Sequence, residues 1–160
     1  MAIATARCQR ERVARGARGD ALRSGPMPPG EVVGYLRSAL ADHDGVHVAL
    51  LFGSRARGRA RADSDVDVAV LAPGADLLGL AAELSLALDL EVHVADLEDA
   101  SIPLLQAIVR DGIVVHEGRR GGAARWRSHA LTTLETDGPW YEQMSEAWLR
   151  RVAERGVANG

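Results

Sequence analysis

The sequence predicts an α/β fold in which a sheet carries helices and is followed by a C-terminal helical tail. Three observations lead there: short Val- and Leu-rich runs that alternate or end in turn residues, longer stretches between them with apolar residues at helical spacing, and a final aromatic-rich segment with only helical pattern. A chain of 160 residues supports one domain with a real core and is too short for two ordinary ones.

Residues 1–26 are rich in Arg, Ala and Gly and lack an apolar period able to offset the entropy of ordering the backbone. They are expected to be a disordered extension, and Met27 reads as well as Met1 as a beginning. From Gly30, Val32, Val33, Leu36, Ala39 and Leu40 fall at helical spacing until "DHDG" breaks it. "VHVALLF" (46–52) reads as a strand ending in Gly-Ser, and "DVDVAVL" (65–71) as a second with Val66, Val68 and Val70 on one side. "ADLLGLAAELSLALD" (75–89) predicts a helix, "LEVHVA" (90–95) a third strand, "SIPLLQAIVRDG" (101–112) a helix capped by Ser101, and "IVVHE" (113–117) a fourth strand. The main domain is thus placed at 27–118 and a helical extension at 119–160. The extension is expected to hold one helix to about Glu135 and, after "TDGP", another from Pro139 with Asp137 as its cap. Trp126, Trp140, Tyr141 and Trp148 crowd into it, either packing the tail onto the sheet or offering a surface to a partner.

The composition excludes several functions. A net charge of -3 argues against general nucleic-acid binding, which needs a basic excess to displace counterions. All 19 basic side chains are arginine, so no lysine nucleophile, Schiff base or P-loop lysine exists. Cys8 alone builds neither an intrachain disulfide framework nor a Cys-rich zinc site, and its place in the arm gives it no expected part in catalysis. A reducing, cytoplasmic setting fits, and no apolar run suggests a signal or a membrane span.

The chemistry gathers in "GSRARGRARADSDVDVAV" (53–70). On a strand, residues two apart point the same way, so Asp65 and Asp67 present two carboxylates on one face while Val66 and Val68 bury the other. Two adjacent acids repel unless a cation sits between them, and hard oxygen ligands favour Mg²⁺ over zinc. Gly53 and Ser54 stand where a strand turns into a short helical segment, whose free N–H groups and serine hydroxyl can cradle a phosphate. Arg55 and Arg57 follow and can neutralise phosphate oxygens, whereas Arg59 and Arg61 lie further out. Asp63 and Ser64 are expected to shape the turn into the Asp65 strand, and Asp96 and Glu98 to begin a loop or cap the next helix. His47 and His116, in apparent strands, are read as structural.

"GS", ten residues, then "DVD" resembles the signature of the DNA polymerase beta-like nucleotidyltransferase superfamily, and the short chain is similar to its minimal nucleotidyltransferases. The likeness runs from about Pro28 to Arg155, and the tail resembles the C-terminal helices of MntA-like antitoxins of HEPN/MNT toxin–antitoxin pairs. The resemblance implies a mixed nucleotidyltransferase sheet flanked by helices, Mg²⁺ held by Asp65 and Asp67, and triphosphate bound at Gly53 and Ser54. It also implies attack of a hydroxyl on the α-phosphorus of ATP with loss of pyrophosphate, and a HEPN ribonuclease toxin, modified on tyrosine, as partner. The sequence departs from the pattern at the third acid, where "LEVHVADLEDA" carries His93 with Glu91 two residues earlier on the same face. Either can complete the catalytic set, or the chain is a non-catalytic nucleotide-binding antitoxin. A small-molecule nucleotidyltransferase of the aminoglycoside type is the other alternative, although the tail is short for an acceptor domain.

Overall fold

In the computed structural model, the described residues run from Met27 to Glu154 apart from Ala62. The N-terminal arm, with its expected disorder, lies outside them. Helix α1 (Pro29–Leu40) opens with proline in its first turn, carries Glu31 near its positive end and Arg37 near its negative end, and buries Val32, Leu36 and Leu40 along one stripe. Strand β1 (Val48–Phe52) leads directly into one helical turn, α2 (Gly53–Ala56). Then come β2 (Val66–Leu71), α3 (Leu77–Leu88), β3 (Val92–Asp96), α4 (Ile102–Asp111), β4 (Ile113–Glu117) and the long α5 (Gly122–Glu154).

The sheet is mixed, in the order β3-β2-β1-β4, with β1 antiparallel to both neighbours and β2 parallel to β3. Parallel neighbours need a crossover, and α3 supplies it; the Asp76 carboxylate caps it by accepting from the Gly79 N–H at 3.0 Å. Alternation divides the core between the two faces. Ala49 and Leu51 of β1 with Val66, Val68 and Val70 of β2 pack under α1 and α3, while Val48, Leu50 and Ala69 pack under α4 and α5. Asp67 shares the parity of Ala69, so it stands on the α4/α5 face near one end of the sheet.

Two expectations are corrected. The tail is not two helices: α5 runs unbroken for 33 residues through Gly138 and Pro139, and Asp137 lies inside it rather than capping a new helix. A proline in a helix interior costs about 3 kcal/mol. Stopping and renucleating, with a nucleation constant of roughly 10⁻³, costs about 4 kcal/mol, so propagation wins. Ser101 occupies the N-cap of α4 without a side-chain hydrogen bond, because Pro103 removes one of the N–H groups it would serve. On α5, Trp126 and Ala130 pack into the core, whereas Trp140 and Trp148 are 65% and 57% exposed. No described helix is long and apolar enough to cross a membrane.

Candidate functional site

The site forms where β1 ends. Phe52 pairs with Asp67 in the antiparallel register, so the turn that follows β1 falls beside the Asp67 side chain. Gly53 begins α2 with φ at +73°, a left-handed conformation, and a Cβ there would overlap the Asp67 carboxylate. Glycine is therefore required twice, by backbone angle and by space. Phe52 at the N-cap offers no side-chain hydrogen bond to the first turn, and Ser54 follows Gly53 on that turn.

Asp65 stands just before β2, and Asp67 on it; Asp67 lies opposite His93 in the parallel register with β3. His93 Nδ1 is 3.8 Å from Asp65 Oδ2, and His93 Nε2 is 3.2 Å from Glu91 Oε1. Glu91, His93 and Asp65 thus form a chain of polar contacts along one side of Asp67. These side chains are largely exposed, so the pairs hold orientation more than stability. Burial pushes the Asp67 carboxyl above the usual carboxylate range; His93 opposes the shift, the neighbouring Asp65 charge adds to it, and Arg57 opposes it.

That direction carries a prediction for the protein free of metal. A folded-state value raised above the unfolded one means that ionised Asp67 weakens the fold above the folded value, and that this penalty vanishes below the unfolded value. Asp67→Asn is therefore expected to raise the melting temperature at neutral pH in the presence of a chelator. The gain should shrink as pH falls through the raised value towards the ordinary carboxylate range. An equal or lower melting temperature for the variant at neutral pH would contradict the burial account.

The arginines divide differently from expectation. Arg55, expected at the phosphate, is 1% exposed and turned inward. Its Nε donates to the carbonyls of Ser64 (3.0 Å) and Asp65 (3.2 Å), and its Nη2 donates to Ser64 as well. The single turn of α2 points residue 55 into the protein and residue 57 out. Arg57 is half-exposed and meets Asp111 at the end of α4, Nη1 to Oδ2 at 3.2 Å. Asp111 also accepts from Arg110, whose hydrogen bond holds its carboxyl below the ordinary range. Sequence reasoning passed over Asp111, which lies 54 residues from Arg57 and carries no local signal. Ser64 shapes its turn as expected, its Oγ accepting from the Arg61 N–H at 2.8 Å, and Asp96 turns the chain by accepting from the Glu98 N–H. His116 contacts the Val46 carbonyl at 3.1 Å, a structural position.

The donor set suits Mg²⁺. Among the described residues no group of three or more His, Cys, Asp or Glu side chains could enclose a metal by itself. Magnesium takes one or two protein carboxylates and fills its octahedron with water and phosphate oxygens, which is what Asp65 and Asp67 beside an uncapped helical turn provide for. The upward shift of Asp67 comes first from burial and to a smaller extent from the charge of Asp65, and both are penalties on the ionised form that a cation would offset.

Comparison with known proteins places the family and the fold. Residues 35–120 match the family model described as polymerase beta, nucleotidyltransferase. None of the curated proteins matches the chain. Among solved structures, a toxin–antitoxin complex with AMP-PNP contains a chain 24% identical at a TM-score of 0.64, the alignment covering 73% of this chain and 98% of that one. The MntA–HepT toxin–antitoxin complex matches at 22% identity and a TM-score of 0.56 over 76% of this chain and 97% of that one. A complex of tri-AMPylated Shewanella oneidensis HEPN toxin with MNT antitoxin matches at 22% and 0.55, over 76% and 96% of the two chains. At these identities the likeness establishes a shared fold.

Proposed function

This chain belongs to the polymerase beta nucleotidyltransferase family, and on that premise we propose that it is an antitoxin that transfers AMP from ATP to a tyrosine hydroxyl of a cognate HEPN ribonuclease toxin. The observation that carries the reading is the seating of Gly53 against Asp67, which brings the turn that would bind phosphate directly beside a carboxylate pair. The toxin partner is suggested by the complexes in which the similar folds were solved.

Asp65 and Asp67 would hold Mg²⁺, which when bound would supply electrostatic stabilisation of the charge that develops on the phosphate oxygens. Ser54 and the N–H groups of α2 hold the terminal phosphates, and Arg57, positioned by Asp111, offsets charge on the departing pyrophosphate. The new bond joins the tyrosine oxygen to the α-phosphorus as the bond to pyrophosphate breaks. His93 accepts the tyrosine proton on Nδ1, while Glu91 orients the ring through Nε2.

One observation favours a second reading, a chain that binds nucleotide and neutralises its partner by contact alone: two carboxylates meet here, and a histidine stands where a third is usual. Incubating the protein with ATP, Mg²⁺ and the proposed HEPN toxin partner separates the two. Mass spectrometry should find whole AMP units on the toxin. Neutralisation without added mass would favour contact, and AMP on an added aminoglycoside but not on the toxin would favour the small-molecule alternative.

The exposed face of α5 is where the toxin would dock. Trp140, Met144, Trp148 and Val152 recur every four residues and remain exposed in the isolated chain. Buried tryptophans at interfaces each contribute on the order of 2 kcal/mol or more. The double substitution Trp140→Ala, Trp148→Ala is expected to weaken toxin binding by at least tenfold in calorimetry, with little change in melting temperature. Unchanged affinity would move the interface elsewhere.

A further inference from the structure

The strongest feature that this chemistry does not use is the buried guanidinium of Arg55. It is the one charged residue among the described buried set, and its Nη1 has no hydrogen-bond partner within the described residues. A fully buried charge with one donor unsatisfied is an expensive way to stabilise a turn, and an apolar side chain of similar volume commonly serves as well or better. Desolvation accordingly pulls its pKa down, opposed by the charge of Asp65.

What the guanidinium does is join two parts of the site. Arg55 lies one residue beyond Ser54 on the turn after β1, and it grips the carbonyls of Ser64 and Asp65 where the chain re-enters the sheet as β2. The described residues of the loop between them, 57–61, 63 and 64, have no strand or long helix of their own to fix where Asp65 stands. We infer that Arg55 is a positioning residue, which sets Asp65 against the phosphate-binding turn so that a divalent cation and a nucleotide triphosphate are held together. This rests on the nucleotidyltransferase reading and adds the residue that holds the two halves of its site in register.

The test is Mn²⁺ binding, followed by electron paramagnetic resonance in the presence of a non-hydrolysable ATP analogue, in the wild-type chain, Arg55→Met and Arg55→Lys. The methionine variant is expected to stay folded, to bind Mn²⁺ at least tenfold more weakly, and to lose kcat more than it raises the KM for ATP. The lysine variant, which keeps the charge and part of the donor set, should fall between the two. Arg55→Met that is folded and binds Mn²⁺ like wild type would overturn the inference while leaving the enzymatic reading intact. So would loss of folding in both variants, which would assign Arg55 to stability. A wild-type chain that binds no Mn²⁺ with the analogue would remove the underlying reading as well.

Discussion

Asp67→Ala is expected to abolish AMP transfer while leaving the chain folded. Asp67 is the carboxylate against which the Gly53 turn is seated, and in the proposed mechanism several kcal/mol of transition-state stabilisation would pass through the cation it would hold. Its loss should therefore lower the rate by roughly a thousandfold or more. Stability argues in the opposite direction: burial disfavours the charged form of this carboxyl, so the metal-free variant should melt no lower than wild type at neutral pH. This pairing of outcomes separates a catalytic carboxylate from a structural one. Label from ATP should vanish from the toxin although circular dichroism and melting are retained. Full labelling by the variant would move the metal site away from β2.

Gly53→Ala is expected to be nearly as damaging, through a different cause. An alanine at φ +73° carries a backbone strain of about 1–2 kcal/mol, and its methyl would also overlap the Asp67 carboxylate. Asp67 must swing aside or β1 and β2 must part, and a displacement on the order of 1 Å at a reacting centre costs roughly a hundredfold in rate. Gly58 provides the control. It has a similar φ of +65°, yet a Cβ there meets nothing within 4 Å. Gly58→Ala should share the backbone strain and keep most of the activity, whereas Gly53→Ala should lose both stability and transfer. Equal activity in the two variants would mean that the contact between Gly53 and Asp67 does not matter to the chemistry.

The parts of the site that could be read in the sequence are those governed by short-range rules. Strand alternation placed Asp65 and Asp67 on one face opposite Val66 and Val68, and the same rule applied to β3 placed His93 on that face once β2 and β3 run parallel. The Gly53-Ser54 turn followed from a strand ending in residues that open a helix. What stayed hidden depends on the direction of one helical turn and on distant contacts. Arg55 and Arg57 are alike in type and two residues apart, yet one is sealed beneath Asp65 and the other meets Asp111 from a different helix. No local pattern distinguishes them. The tail misled in the opposite way, because Gly138 and Pro139 are strong local stop signals that lose to the cost of starting a second helix. The aromatic cluster split, with Trp126 entering the core and the tryptophans beyond Pro139 left outside, because only the first turns of α5 pass over the sheet.

The central claim is that Asp65, Asp67 and the Gly53 turn transfer a nucleotide, and the position of the label in ATP tests it most directly. The protein is incubated with Mg²⁺, its proposed HEPN toxin partner, and ATP labelled at either the α- or the γ-phosphate. Label appearing on the toxin from the α-phosphate and never from the γ-phosphate, with pyrophosphate released in equal amount, is the result expected. Label from the γ-phosphate, or none from either while the toxin is nonetheless silenced, would contradict it.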